Sequence, residues 1–283
     1  MILVFGQTGQ VARALVRLAP GALDLGKDAA DLSDSDACAA AIIAHRPDGV
    51  INAAAYTAVD PAEGDEVPAM TVNGDAPGAM ARACAALGVH FVHISTDYVF
   101  DGSGARAWRP DEPTGPLGVY GRSKLAGEEA VRAAGVAHMI LRTAWVFSED
   151  GENFVRTMLR LGADRLVLRV VADQISGPTP AHDIAATCLA LVSALQAGAK
   201  GGKYHYAGIP AISWAGFACE AFRAAGMALT IEDITTADHP TPARRPQNSR
   251  LDYATLAADF EITAPDWRTG LACVVGNLTK DAQ

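Results

Sequence analysis

Along the first half of the chain, short apolar runs alternate with longer segments whose apolar positions recur at helical spacing. Runs at Ile2–Phe5, Ala22–Leu25, Gly49–Asn52, Val89–Ser95 and His138–Arg142 predict five strands. Between them, helices are expected from just past Gly6 to about Ala19, from Asp34 to His45, from Pro68 to Leu87 and from Gly118 to Ala134, with Ser33 or Asp34 placed to cap the second. Strands that are apolar throughout, each followed by a helix, predict a parallel sheet covered on both faces. Right-handed crossovers then bring the C-terminal strand ends to one edge, where ligands bind. After about residue 145 the alternation loosens. Strands are expected at Leu166–Val171, Tyr204–Ala207 and Leu229–Asp233, and helices at Asn153–Leu161, Asp183–Leu195 and Ser213–Ala225. The expected fold is α/β: a Rossmann-type doubly wound parallel sheet with a smaller C-terminal α/β domain. Residues 1–147 would form the dinucleotide-binding part, with the chain crossing back later, and 148–283 mainly the substrate part.

Charge narrows the function classes. The 283 residues carry 23 Lys and Arg against 32 Asp and Glu, a net charge of −9. Nucleic acid and anionic membrane surfaces are therefore not expected partners, since both need a basic face. The opening MILVFG has only five apolar residues before Gly6 and no basic stretch, unlike a signal peptide, and the apolar segment 184–199 is broken by Thr187, Ser193 and Gln196. Five dispersed cysteines (Cys38, Cys84, Cys188, Cys219, Cys273) form no CxxC pair and read as reduced thiols. A cytoplasmic protein is expected. Against the acidic background, His239–Arg250 stands out as a loop with three prolines and three arginines, a candidate anion-facing segment.

The chemistry is carried by three stretches. Directly after the first strand comes Gly6-Gln7-Thr8-Gly9-Gln10-Val11-Ala12. Gly6 permits a tight turn, Gly9 admits a pyrophosphate close to the backbone, and the helix N-terminus offers free N–H groups and a partial positive charge. Asp24, ending the second strand, is placed to accept hydrogen bonds from ribose hydroxyls. The third strand runs into Asn52-Ala53-Ala54-Ala55-Tyr56-Thr57, whose small side chains either leave room for a flat ligand or pack tightly. The fourth ends in Ser95-Thr96-Asp97-Tyr98, followed by Tyr120-Gly121-Arg122-Ser123-Lys124. Tyr120 and Lys124 share one helix face. An ammonium beside a phenol favours the phenolate and makes it a proton donor and acceptor near neutrality.

These stretches, together with STDYVFDG, VYGRSKLAGE, LRTAWVF, NFVRTMLRL and TPARRPQNSRLD, occur in an order that resembles the dTDP-4-dehydrorhamnose reductase family of extended short-chain dehydrogenases/reductases. The resemblance implies an NADPH- or NADH-dependent oxidoreductase that reduces the C4 ketone of dTDP-4-dehydro-L-rhamnose to dTDP-L-rhamnose. It makes Tyr120 the catalytic acid, Lys124 the residue that holds the nicotinamide ribose and lowers the phenol's pKa, and Thr96 the residue that orients Tyr120. Gly6, Gly9, Gln10 and Val11 would cradle the pyrophosphate. Asp24 would meet the adenosine ribose, Asp31 and Leu32 the adenine, and Ala54, Ala55 and Tyr56 would lie along the cofactor. Asp97 and Trp145 would contact the sugar nucleotide, and Arg244 and Arg245 its diphosphate, although Leu32 and Trp145 read equally as core residues and the two arginines as surface ion-pair partners.

The chain departs from the family in two places. The D-Q-x-G-x-P-T pattern appears as Asp173-Gln174-Ile175-Ser176-Gly177-Pro178-Thr179, its glycine displaced by one. Some relatives bridge a dimer through magnesium held by acidic residues near the first helix, where this chain has Ala14, and no ligand cluster replaces them. No metal is therefore assigned, and either a monomer or a homodimer is expected. Two other readings stay open: a related sugar-nucleotide epimerase or reductase, and a non-catalytic cofactor-binding regulatory subunit.

Overall fold

The computed structural model describes residues 1–280. The first strands and helices follow the sequence pattern closely: β1 (Ile2–Phe5), α1 (Gln10–Leu18), β2 (Leu23–Leu25), α2 (Ser35–His45) and β3 (Gly49–Asn52). Asp34 caps α2 by accepting from the Ala37 N–H at 2.9 Å, and the helix ends where Arg46 turns left-handed. A short helix, α3 (Val59–Ala62), follows.

The helix expected from Pro68 to Leu87 is one rod in three parts: α4 (Glu66–Met70), a π-helical turn at Thr71–Asp75, and α5 (Ala76–Leu87). The wide turn has a visible use. It sets Asn73 where its side chain accepts from the Tyr56 N–H (2.9 Å) and donates to the Tyr56 carbonyl (3.0 Å) and the Ser123 hydroxyl (3.0 Å). The segment after β3 is thereby tied to the helix that carries Tyr120. Side-chain periodicity does not reveal such a bulge, because α5 resumes its apolar stripe beyond it.

Next come β4 (His90–Thr96), α6 (Val119–Ala133) and β5 (His138–Thr143). The chain then builds the second lobe from β6 (Val146–Phe147), α7 (Phe154–Ala163), β7 (Val167–Val171), β8 (Ile175–Ser176) and β9 (Thr179–Pro180). It returns to the first lobe with α8 (Ala181–Gln196) and β10 (Gly202–His205), and leaves again through β11 (Ile212–Ser213), α9 (Trp214–Ala224) and β12 (Thr230–Ile234). Two further helices follow among the described residues, α10 (Ala254–Phe260) and α11 (Trp267–Lys280), neither of which the hydrophobic pattern predicts.

The main sheet is wholly parallel in the order β10-β5-β4-β3-β1-β2. One face buries Val4, Ile51, Val92 and Leu141 under α1 and α8; the other buries Leu3, Phe5, Phe91 and Ile140 under α2 and α5. Burial of these two apolar faces drives the sheet and its flanking helices together. The second lobe has its own core of Phe147, Phe217, Trp267 and Leu271, with a parallel β7–β12 pair and Met158, Leu168 and Phe222 beside it. Among the described residues, no helix is long and apolar enough to cross a membrane.

Candidate active site

Because β1, β3, β4 and β5 run parallel, their C-terminal ends meet at one edge. Between that edge and the second lobe lies a cleft of about 640 Å³. Gly9, Gln10 and Val11 line it from the start of α1, Ala54 and Ala55 from the end of β3, and Thr96 and Asp97 from the end of β4. Tyr120 and Lys124 line it from α6, and Thr143 and Trp145 from the end of β5. Residues far apart in sequence thus meet in one place.

The glycine loop fits a dinucleotide. Gly6 has φ +115°, and a Cβ there would come within 3.3 Å of both Ala12 Cβ and the Ala54 nitrogen. Only glycine holds that turn while letting α1 pack against the strand. A Cβ on Gly9 would meet nothing within 4 Å, and no side chain caps α1. The first-turn N–H groups are left to a ligand, with the helix dipole favouring an anion. Gln10 does a second job: its Oε1 accepts from Ser148 Oγ (2.9 Å) and Asn153 Nδ2 (3.2 Å), linking the loop to the second lobe. Arg17 reinforces this link through Asp150 at 2.6 Å.

On α6, Lys124 donates to the Ile94 carbonyl at 2.7 Å. Tyr120 packs edge-to-face on Tyr98, with centroids 5.6 Å apart. Burial pushes the Tyr120 phenol up to about 12, against the opposing Thr96 hydroxyl, and pushes Lys124 down to about 8, against the opposing charge of Glu128. Burial thus opposes the lowering of the phenol pKa that the family pattern implies. One donor of the Lys124 ammonium is taken by Ile94.

Asp97 is 2% exposed; one carboxylate oxygen accepts from Thr96 Oγ1 at 3.0 Å and Oδ2 has no partner. Burial pushes this carboxyl up to about 6, restrained by the Ser249 and Thr96 hydroxyls. Its folded pKa thus lies above the ordinary 3.8. The stability associated with the protonated group is complete below 3.8 and is lost as pH rises through about 6. Asp97→Asn should accordingly raise the melting temperature relative to the natural chain at pH 8 and much less at pH 4. An equal difference at both values would contradict this account. Thr143 Oγ1, also buried and unpartnered, lines the same cleft; it lies in the LRTAWVF stretch, where the resemblance attaches a role only to Trp145.

Trp145 sits in the left-handed region at φ 45°. For a bulky side chain this costs about 1–3 kcal/mol, and such strain concentrates at functional sites. Its ring stacks on Trp214 with centroids 3.4 Å apart and planes 10° from parallel. Trp214, missed by the sequence reading, lines both the cleft and a second cavity of about 710 Å³. That cavity has an apolar floor including Phe154, Met158, Leu168 and Val170, and cations at Arg165, Arg169 and Arg245. Arg165, just before β7, and Arg169, within it, had no local signature either.

Several expected residues lie outside the cleft lining. Arg245 forms a two-pronged pair with Asp60 at 2.9 and 2.7 Å and borders the second cavity, whereas Arg244 is exposed and lies outside both. The Tyr56 hydroxyl donates to Asp65 at 2.9 Å. Asp24 lies on β2 opposite Val4, one residue before the strand end. Asp31 accepts from the Ser33 N–H, and Leu32 is packed in the core with Phe5 and Leu25. Leu32 follows its apolar character into the core rather than reaching the cleft. Among the described residues, no group of three His, Cys, Asp or Glu side chains is placed to hold a metal ion.

Comparison with known proteins agrees with this architecture. The model of the RmlD substrate binding domain family matches residues 1–280. A dTDP-4-dehydrorhamnose reductase of Sinorhizobium fredii is 43% identical over 274 residues, covering 93% of each chain. One from Burkholderia thailandensis is 44% identical and covers 98% of each. Among solved structures, the dTDP-4-dehydrorhamnose reductase of Clostridium acetobutylicum superposes with a TM-score of 0.93 at 33% identity, covering 98% of this chain and 99% of its own. That of Bacillus anthracis, in complex with NADP, gives 0.91 at 31% identity and covers 98% of each. With its length matched end to end and its fold shared, the chain belongs to the RmlD substrate binding domain family.

Proposed function

We propose that this chain reduces the C4 ketone of dTDP-4-dehydro-L-rhamnose to dTDP-L-rhamnose, using NADPH or NADH. The observation that carries the reading is one cleft that joins the uncapped glycine loop to Tyr120 and Lys124, beside a second cavity with an apolar floor and three arginines. Residues 1–147, with the returning α8 and β10, hold the cofactor; residues 148–283 mainly hold the sugar nucleotide. When bound, the reduced nicotinamide supplies the hydride.

The chain's own groups do the rest. The first-turn N–H groups from Gly9 onward hold the pyrophosphate, and Ala54 and Ala55 lie along the cofactor. Lys124, fixed at one donor by Ile94, turns its others to the nicotinamide ribose. Tyr120, kept protonated by burial, gives its proton to the C4 oxygen as charge develops there. Thr96 shares that oxygen and keeps the phenol in line. The unpartnered Asp97 Oδ2 and Thr143 Oγ1 meet sugar hydroxyls, and the Trp145–Trp214 stack forms the hexose wall. Arg165 and Arg169 hold the diphosphate by charge-assisted bonds, while Arg245 is already committed to Asp60.

The test offers the purified protein the dTDP-4-keto-6-deoxy-L-sugar with each reduced cofactor, follows loss of reduced nicotinamide, and identifies the product by NMR. Stoichiometric oxidation with dTDP-L-rhamnose formed is expected. An epimerised sugar with the cofactor retained, or no substrate-dependent oxidation, would overturn the proposal. Arg169→Ala should raise the KM for the sugar nucleotide more than it lowers kcat, because diphosphate binding is nearly uniform between ground and transition states. A fall confined to kcat would remove Arg169 from the diphosphate site.

A further inference from the structure

Below the cleft lies a buried charge cluster that the proposed reaction does not use. Glu128, 1% exposed, stands on α6 one turn beyond Lys124 and two beyond Tyr120. Its Oε1 accepts from Ser95 Oγ at 2.6 Å and from Arg142 Nε at 2.8 Å, and its Oε2 accepts from the Arg142 guanidinium at 2.6 Å. Arg142, on β5, also donates to the Pro110 carbonyl at 3.3 Å and lies over the Phe100 ring at 5.1 Å. Two consecutive β4 residues therefore engage two successive side chains of one α6 face: Ile94 takes Lys124, and Ser95 takes Glu128.

We propose that Glu128 is a positioning residue for Lys124: it locks α6 in register against β4 and, as the anion one helical turn away, keeps the Lys124 ammonium charged in a site that excludes water. The charges that face this region are few. From β4, His93 is held neutral by burial and by the Lys124 charge, and its Nδ1 meets the Asn52 amide at 3.2 Å. From β5 comes Arg142, and from β10 His205, which burial and the Arg142 charge also keep neutral. Lys203 on β10, whose ammonium feels both Arg142 and Glu128, Asp97, directly after β4, and Tyr120, on the same face of α6, lie around it as well. Glu128 is the one opposing charge that bears on Lys124, and it counteracts the fall caused by burial. Arg142 is the counter-ion that permits a carboxylate there.

Replacement should therefore change a titration and not merely the fold. Glu128→Gln removes the opposing charge that counteracts burial, so the Lys124 pKa should fall. Carbon-13 NMR of the lysine side chains in the cofactor-free protein, with Lys124→Arg identifying the resonance, should show its midpoint displaced downward by a unit or more. The alkaline limb of kcat/KM should move with it. Glu128→Asp, which keeps the charge, should leave the midpoint near that of the natural chain. If Glu128→Gln fails to fold, the double replacement Glu128→Gln with Arg142→Met removes both charges at similar volume and carries the test. Its Lys124 midpoint should still fall below the natural one. An unmoved midpoint in a folded variant overturns the proposal. The kinetic limb rests on the proposed reaction but the NMR titration does not, so failure of one is distinguishable from failure of the other.

Discussion

Tyr120→Phe should lower turnover by at least about 100-fold, the low end for a positioned acid, while leaving NADPH affinity nearly unchanged. Phenylalanine keeps the ring that packs against Tyr98 and the apolar contacts around Ala62, Ala69 and Val119, so α6 stays in place. Only the proton is lost. The proposed pyrophosphate contacts are on Gly9 and the first turn of α1, not on α6, so the cofactor has little reason to weaken. Steady-state rates and a fluorescence titration with NADPH separate the two effects. Since burial holds the phenol near 12, it stays protonated throughout the neutral range and sets no limb of the pH profile. Activity should instead fall as pH rises through about 8, where Lys124 loses its proton. A Tyr120→Phe enzyme with normal turnover would remove the acid assignment and, with it, the reductase reading.

The largest effect on stability is expected at Arg142. Arg142→Leu leaves the Glu128 carboxylate without its counter-ion in a site only 1% exposed. Removing one partner of a buried pair costs about 3–5 kcal/mol, because the remaining charge has neither water nor an opposite ion. Glu128 would keep the Ser95 hydroxyl, which is too little to hold an anion away from water. Urea unfolding should report the loss as a lower midpoint at unchanged slope. A loss below about 1 kcal/mol, the range of exposed pairs, would mean that water reaches Glu128 or that the pair is weaker than its geometry. Replacing both partners by apolar or neutral groups of similar size should recover much of the loss, which separates an unpaired charge from a simple packing defect.

Much of the site was legible in the chain because parallel α/β folds deliver ligand-binding residues at strand ends. Gly9 and Gln10 follow β1, Ala54 and Ala55 follow β3, Thr96 ends β4, and Trp145 follows β5; each could be marked once its strand was found. Tyr120 and Lys124 were readable for a different reason, a spacing of four on one helix. Where single residues were placed less well, the local signal was ambiguous. Leu32 can pack in a core as readily as against adenine, and its apolar side chain went inward. Arg244 and Arg245 are neighbours in one basic loop, yet only Arg245 turns to the second cavity, and Asp60 claims it.

What the order of residues determined by itself was the periodicity: uninterrupted apolar strands, amphipathic helices, a glycine turn and one Tyr–Lys face. Those features depend on neighbours within a few positions, where backbone geometry sets which side chains align. The tertiary structure alone decided the rest. It set Trp214 against Trp145, brought Arg165 and Arg169 to a shared cavity, buried Glu128 against Arg142, and returned Gly202–His205 to the first sheet. It also pushed the Tyr120 pKa up through burial, against the lowering that the Tyr–Lys spacing implies. That shift depends on how much water the assembled cleft excludes, and exclusion of water belongs to the packed whole rather than to any stretch of the chain.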